Sequence, residues 1–403
     1  MSWDKVKKRA PKFLLTLAVL VVITGCWSRR EIEDLGMTIG AAVDIGEETK
    51  IEEAFEEQGG DYEKRNVLTL TYQVVQPGQS GGPAVTGGGQ KNYKNISVTG
   101  DSFYEVTREI PLMRGRPIFG QHYKVIVISD KVARQVSMKH LFDFFIREQE
   151  FRPSCLVLIC KGEAKQALDH KDKSDFPSTR LLAMTNNQYR SSRILPPVSL
   201  SKLLPEINSS STFLLQNVIT ADGEIKFAGA AVIYGKTGKL IGFLKEEELE
   251  AVNWLSGKVE GGVVKSYDED TGQTIVYELT SLKTKIRPHL NKGRISFDIE
   301  MDSEGRLGER WNEGDDFDSH SMKQIEKNTT RQMSKRIDEL LNKAQKEYRA
   351  DVIGLSEYVR IYYPRTWEKI KSNWDDVFAE AEIRYQIKAK VKEFGTTSIK
   401  VRE

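Results

Sequence analysis

The sequence predicts an α+β (mixed α/β) protein of three dissimilar domains. Each is a mostly antiparallel sheet packed with helices, the last with one long helix across its sheet. Three observations predict this. Strict alternation at 67–75 and 295–301 puts apolar side chains on one face of a strand. Apolar residues three and four apart, above all in 318–349, mark helices. The two patterns are interspersed along a chain of 403 residues, a length that suggests two or three units at roughly 100–200 residues per domain. The expected divisions are a leader at 1–25, an N-terminal α/β domain at 26–200, a middle domain at 212–258 and a C-terminal domain at 259–403. Hydrophobic residues make up 39% and charged residues 29%, which excludes both long-range disorder and a many-span membrane protein. Sixty Lys and Arg against 58 Asp and Glu give a net charge of +2, excluding a strongly basic nucleic-acid binder.

The leader accounts for that positive charge. Lys5, Lys7, Lys8, Arg9 and Lys12 precede an apolar stretch at 13–24, shorter than the ~20 residues that span a bilayer comfortably. It ends in Ile23-Thr24-Gly25-Cys26, the pattern of a bacterial lipobox. Small residues let a peptidase seat an extended backbone, and the Cys26 thiol carries a diacylglyceryl group. Cys26 is therefore the expected lipid-attachment residue, S-diacylglyceryl and N-acyl, and two chains satisfy the requirement for stable anchoring. The body behind it would be mildly acidic and held outside the cytoplasmic membrane.

In the first domain, strands are expected at 39–45, 67–75 and 123–129. Leu68, Leu70, Tyr72 and Val74 share one face. A helix capped by Asp101 or Ser102 points Phe103, Val106 and Ile110 inward and stops near Pro111. A second, at 137–150, buries Met138, Leu141, Phe142 and Phe145. Gln76 to Gln90 is rich in Gly and Pro and reads as a mobile loop. Cys155 and Cys160 flank an apolar run; their odd spacing puts them on opposite faces of a strand, as buried free thiols. Residues 191–212, with Pro196, Pro197 and Pro205, read as a linker.

The middle segment offers strands at 225–234 and 239–244 and a helix at 245–256 that Gly257 ends. A strand at 259–267 follows. The long helix carries Met322, Ile325, Met333, Ile337, Leu340, Leu341, Ala344 and Tyr348 on one stripe. A short helix after Pro364 carries Trp367, Ile370, Trp374 and Phe378, which read as core. The alternation at 383–392 reads as an antiparallel strand buried on one side.

Chemistry is sought with little return. Gly78-Gln79-Ser80-Gly81-Gly82 has the nucleophile-elbow spacing, but Pro83 and further glycines follow where a helix is required. Asp268-Glu269-Asp270 lacks the remaining ligands of a calcium loop and reads as a turn. His122, His140, His170, His289 and His320 show no metal-ligand pair. Phosphate cradles and dinucleotide fingerprints are absent from the sequence. No catalytic residue, metal or cofactor is expected, and the ligand-binding residues stay open. The 147–152 cluster reads as an ion-paired surface, while Trp254, at a helix end, could face a partner.

Several segments in order resemble the Ger(x)C family of spore germination lipoproteins, the C subunits of GerA-type nutrient germinant receptors. The strongest is Cys26-Trp27-Ser28-Arg29-Arg30-Glu31-Ile32-Glu33-Asp34-Leu35-Gly36. Others begin at Gly100, Phe119, Phe144, Ala228, Leu240 and Trp254. Two more are Asp351-Val352-Ile353-Gly354 and Asn373-Trp374-Asp375. The resemblance implies a non-enzymatic lipoprotein on the outer face of the spore's inner membrane. It would act with polytopic A and B subunits to trigger germination; whether it touches nutrient directly is left open. The alternative from another class is an extracytoplasmic solute-binding lipoprotein feeding a transporter.

Overall fold

The computed structural model describes residues 35–60, 63–65, 67–76, 91–148, 151–172, 175–269, 271–311 and 319–393. Cys26, the leader and Ser80 lie outside the described residues, as does nearly all of the Gly-rich stretch.

Three parallel strands form the centre of the first sheet: β1 (Gly36–Ile45), β5 (Val125–Ser129) and β6 (Leu156–Cys160), with Gly40, Val125 and Leu156 in register. Their apolar runs do not alternate because both faces are covered. Cys155, Val157 and Ile159 enter one core, whereas Leu156, Leu158 and Cys160 enter the other. The two thiols are thus free, buried and on opposite sides, as their spacing predicts. Burial pushes both thiols up to about 12.

On one flank β2 (Leu68–Val75) pairs antiparallel with β1, and β3 (Tyr93–Gly100) pairs antiparallel with β2 at the edge. β4 (Ile118–Phe119) pairs with the start of β1. On the other flank β7 (Phe213–Ala221) runs parallel to β6, followed by antiparallel β8 (Glu224–Tyr234) and β9 (Lys239–Leu244). One nine-stranded sheet therefore runs from the first segment into the middle one.

Helices α1 (Lys50–Glu56), α2 (Phe103–Met113), α3 (Asp130–Gln135) and α4 (Met138–Arg147) accompany this sheet. Ser102, Ser129 and Ser137 cap the last three, each hydroxyl accepting a backbone N–H three residues on. Val106 and Ile110 of α2, Val132 of α3, and Met138, Leu141, Phe142 and Phe145 of α4 close one core. A 3₁₀ turn (Ala164–Leu168) and α5 (Pro177–Met184) close the other through Ala164, Ala167, Leu168 and Leu181.

After α7 (Glu246–Ser256) comes the second sheet. Its order is β10 (Gly262–Tyr267), β11 (Thr274–Asn291), β12 (Arg294–Arg310) and β13 (Glu382–Glu393). A tight turn joins β11 to β12 with Lys292 and Gly293 both at positive φ, as a two-residue hairpin of this twist requires. The long helix α8 (Ser319–Asn342) continues as a π-turn (Lys343–Tyr348) and ends at Arg349, φ 48°. Ile325, Met333, Ile337, Leu340, Leu341 and Ala344 of its stripe are buried.

Three expectations need correction. β13 is parallel to β12, because a strand returning after crossing helices runs in the direction of the first. Alternation reports one buried face and nothing about direction. The expected linker contains an additional helix, α6 (Leu200–Ser209), which buries Leu200 and Leu203. Pro205 is tolerated inside it, whereas α2 ends at Met113, near Pro111 as expected. Trp254 faces no partner: it is fully buried between the sheets.

Candidate functional site

Most of the sequence motifs fall in two places, the end of the first sheet where the chain enters from Cys26 and the seam between the sheets; the motif beginning at Gly100 starts at the far end of β1, beside Leu68 and Ile45. Gly36 is the first strand residue, and its N–H donates to Pro117 O at 2.9 Å. Gly36 lies ten positions after Cys26, a reach of at most about 35 Å when extended. The 119–124 motif lies at this end. His122 meets Phe119 in a tilted contact at 6.0 Å between ring centroids, and Tyr123 packs on Phe151 at 4.7 Å. Phe144, Phe145 and Phe151 meet edge to face at 5.2–5.3 Å. Thus Phe151 belongs to the core. Arg147 pairs with Asp143 at 2.8 Å, and Glu148 lies 3.6 Å from Arg108.

The remaining motifs converge on the seam. Gly229, at φ +72°, lets the backbone of β8 press against Leu244, where a Cβ would sit 2.0 Å from a carbonyl oxygen. Gly242 of β9 makes room for Tyr348, whose hydroxyl a Cβ would meet at 2.3 Å. Tyr348 Oη and Lys343 Nζ both donate to Phe243 O at 3.0 Å. The Trp254 carbonyl accepts from Thr284 Oγ1 at 2.6 Å, and Gly257 ends α7 in the left-handed conformation.

Asp351 explains the two last motifs together. Its carboxylate accepts the N–H groups of Ile353, Gly354, Leu355 and Ser356 at 2.8–3.2 Å, capping α9 (Leu355–Tyr362). The same carboxylate accepts from Trp374 Nε1 at 2.9 Å, fixing the start of α11 (Trp374–Glu380), which follows α10 (Pro364–Ile370). Asp375 in turn accepts from Asp351 N and from Thr212 Oγ1, reaching back to the first sheet. Trp374 meets Phe297 and Trp367 edge to face, so both tryptophans are core side chains.

Sequence reasoning misses the buried ion cluster of the seam. Glu250 of α7 is 1% exposed and receives Arg336 of α8, Arg193 Nε at 3.1 Å and Ser192 Oγ at 3.1 Å. Burial raises the Glu250 carboxyl above the usual value, against the pull of both guanidinium groups. Asn253 Nδ2 donates to Ser192 O and Ile194 O, strapping the expected linker to α7. These partners lie as many as 86 residues apart, and no local pattern announces them.

Among the described side chains, the histidines do not gather. His140 shares a hydrogen bond with Ser137, His170 lies between Arg180 and Glu224, and His289 pairs with Asp298. Asp268 accepts from Thr271 N and Oγ1 at 3.0 Å and forms the expected turn. Among the described residues, no three His, Cys, Asp or Glu side chains gather to hold a metal, and no helix is long and apolar enough to cross a membrane.

With this geometry in place, comparison with known proteins is informative. Residues 28–220 match the family described as spore germination protein N-terminal domain, and 228–395 match spore germination B3/GerAC like, C-terminal. Spore germination protein YndF of Bacillus subtilis (strain 168) is 42% identical, over 98% of both chains. Spore germination protein A3 of the same organism is 30% identical over 96% of this chain and 98% of its own. The crystal structure of the GerBC protein superposes with a TM-score of 0.60 at 26% identity, covering 80% of this chain and 93% of that one. The chain belongs to the GerC-type family of spore germination proteins.

Proposed function

We propose that this chain is the lipid-anchored, non-enzymatic C subunit of a spore nutrient germinant receptor. It acts with polytopic A and B subunits to trigger germination. The carrying observation is that the family match begins at residue 28, directly behind Cys26, and runs through almost the whole body. Cys26 carries the diacylglyceryl and N-acyl groups and holds the body at the outer face of the spore's inner membrane. Tethering raises the body's local concentration beside its membrane partners, so modest contacts suffice for assembly. The family motifs from residue 228 onward gather at the seam between the sheets rather than around a pocket. That favours a part whose job is to hold a shape.

The test is Cys26→Ala in spores. Loss of membrane retention together with a severely reduced nutrient response is expected; normal germination by a released protein overturns the reading. Calorimetry of the purified chain with amino acids and sugars separates this reading from a solute-binding lipoprotein, which would bind one of them tightly and saturably.

A further inference from the structure

We infer that the end of the first sheet from which the Cys26 segment departs is a membrane-contacting face that binds anionic lipid headgroups. This rests on the lipid-anchor reading and adds an orientation to it. Because β1, β5 and β6 are parallel, the residues preceding all three strands emerge at one end. That end collects the 114–117 turn, whose Pro117 carbonyl holds Gly36, and the 152–154 turn before β6. Arg116 and Arg152 are exposed there, and Arg114 is half-buried. None of the three has a carboxylate partner among the described residues, and Arg114 Nε is shut from water with no acceptor. Beside them Leu112, at the end of α2, is 78% exposed, the highest value among the large apolar side chains of the described residues.

A lipid surface is the occupant this chemistry selects. Arginines with no carboxylate partner among the described residues, at the same end of the sheet as one exposed leucine, match phosphate headgroups above an acyl layer, and each basic residue near an anionic surface strengthens attachment roughly fivefold. Position fits as well. The Arg116 carbonyl lies 3.7 Å from where a Cβ on Gly36 would sit, so this turn is at the chain's exit. The tether keeps it within about 35 Å of the bilayer. The opposite end of β1, where α1 begins, is farther away by the length of the strand, about 33 Å for ten residues. The body would therefore stand with its strands leading away from the membrane.

The experiment uses the full-length lipidated chain in vesicles of phosphatidylcholine, with or without phosphatidylglycerol. A fluorophore is placed at Leu112→Cys or, as control, at exposed Lys50→Cys beyond the far end of β1. Cys155 and Cys160 are buried, so the introduced thiol labels selectively. Nitroxide-bearing lipids should quench the position-112 probe several-fold more than the position-50 probe when phosphatidylglycerol is present. The excess should vanish with Arg114→Glu/Arg116→Glu/Arg152→Glu, or in about 1 M salt, where screening shortens to about 3 Å. Equal, low quenching at both positions on protein that co-floats with vesicles overturns this inference and leaves the anchor standing. Shielding that appears only when the polytopic subunits are added also overturns it, in favour of a protein-facing surface. Failure to co-float with phosphatidylcholine vesicles sinks the anchor reading and this inference with it.

Discussion

The centre of the nine-stranded sheet and the seam between the two sheets are held by different physics. At the centre, β1, β5 and β6 bury apolar side chains on both faces, and neighbours in space are neighbours in pattern. At the seam the decisive contacts are polar and join residues far apart in sequence: Glu250 with Arg336, Tyr348 with Phe243, Asp375 with Thr212. Apolar burial is non-directional and forgives a lost methyl group, whereas a buried charge that loses its partner does not. The seam should therefore be the fragile region, although its polar groups are the smaller part of the buried material.

The largest effect tests that directly. Arg336→Met leaves Glu250 buried beside a single guanidinium that is itself partly exposed. A loss of about 3–5 kcal/mol is expected in denaturant unfolding. Adding Glu250→Leu should recover a substantial part of it, since a well-packed apolar pair removes the stranded charge. If Arg336→Met costs no more than a surface substitution, the contrast between seam and centre is wrong.

Asp351→Asn comes next. The amide keeps one acceptor oxygen, but its NH₂ now faces donors that the carboxylate accepted, including backbone N–H groups and Trp374 Nε1. A loss of about 2–3 kcal/mol is expected, given that hydrogen bonds to a charged group contribute ~1.5–3 kcal/mol. Trp374 fluorescence should shift with the unfolding midpoint. By contrast, Ile126→Val at the fully buried centre should cost only about 1 kcal/mol, the ordinary consequence of one deleted methyl.

The same contrast explains what was legible in the sequence. Periodicity finds the α8 stripe, the one-faced alternation of β12 and the opposite-face placement of Cys155 and Cys160, because each depends on local geometry alone. It cannot find that β13 runs parallel to β12, since direction depends on how the intervening chain crosses. Nor can it see that Trp254 is fully buried, because a second sheet covers it from elsewhere in the chain. Helix α6 is hidden by Pro205, a helix breaker overridden by the burial of Leu200 and Leu203. For the motifs, order along the chain exposed the family but not the physical roles: Asp351 and Trp374 are partners across 23 residues. Cys26, the one site residue named from sequence, lies outside the described residues and rests on the lipobox.

The smallest effect is a difference in pH response. Burial raises the Asp375 carboxyl at the seam above its ordinary value near 3.8. On the outer face of the second sheet the signs reverse. Hydrogen bonds from Arg384 and Arg287 lower Asp298 and Glu300 below 3.8 and 4.5. A raised carboxyl binds its proton more tightly when folded, so its contribution to stability declines as pH rises from the unfolded value through the raised one. The lowered pair contributes above the unfolded values and loses that contribution as pH falls through the folded ones. Asp375→Asn should consequently flatten the decline on the alkaline side of 3.8, and Asp298→Asn/Glu300→Gln should flatten the acid-side loss. Unfolding midpoints measured across the acidic range read both. If the two variants changed the profile in the same direction, seam and surface carboxylates would be equivalent, and the distinction between a desolvated group and a solvated, paired one would not hold in this molecule.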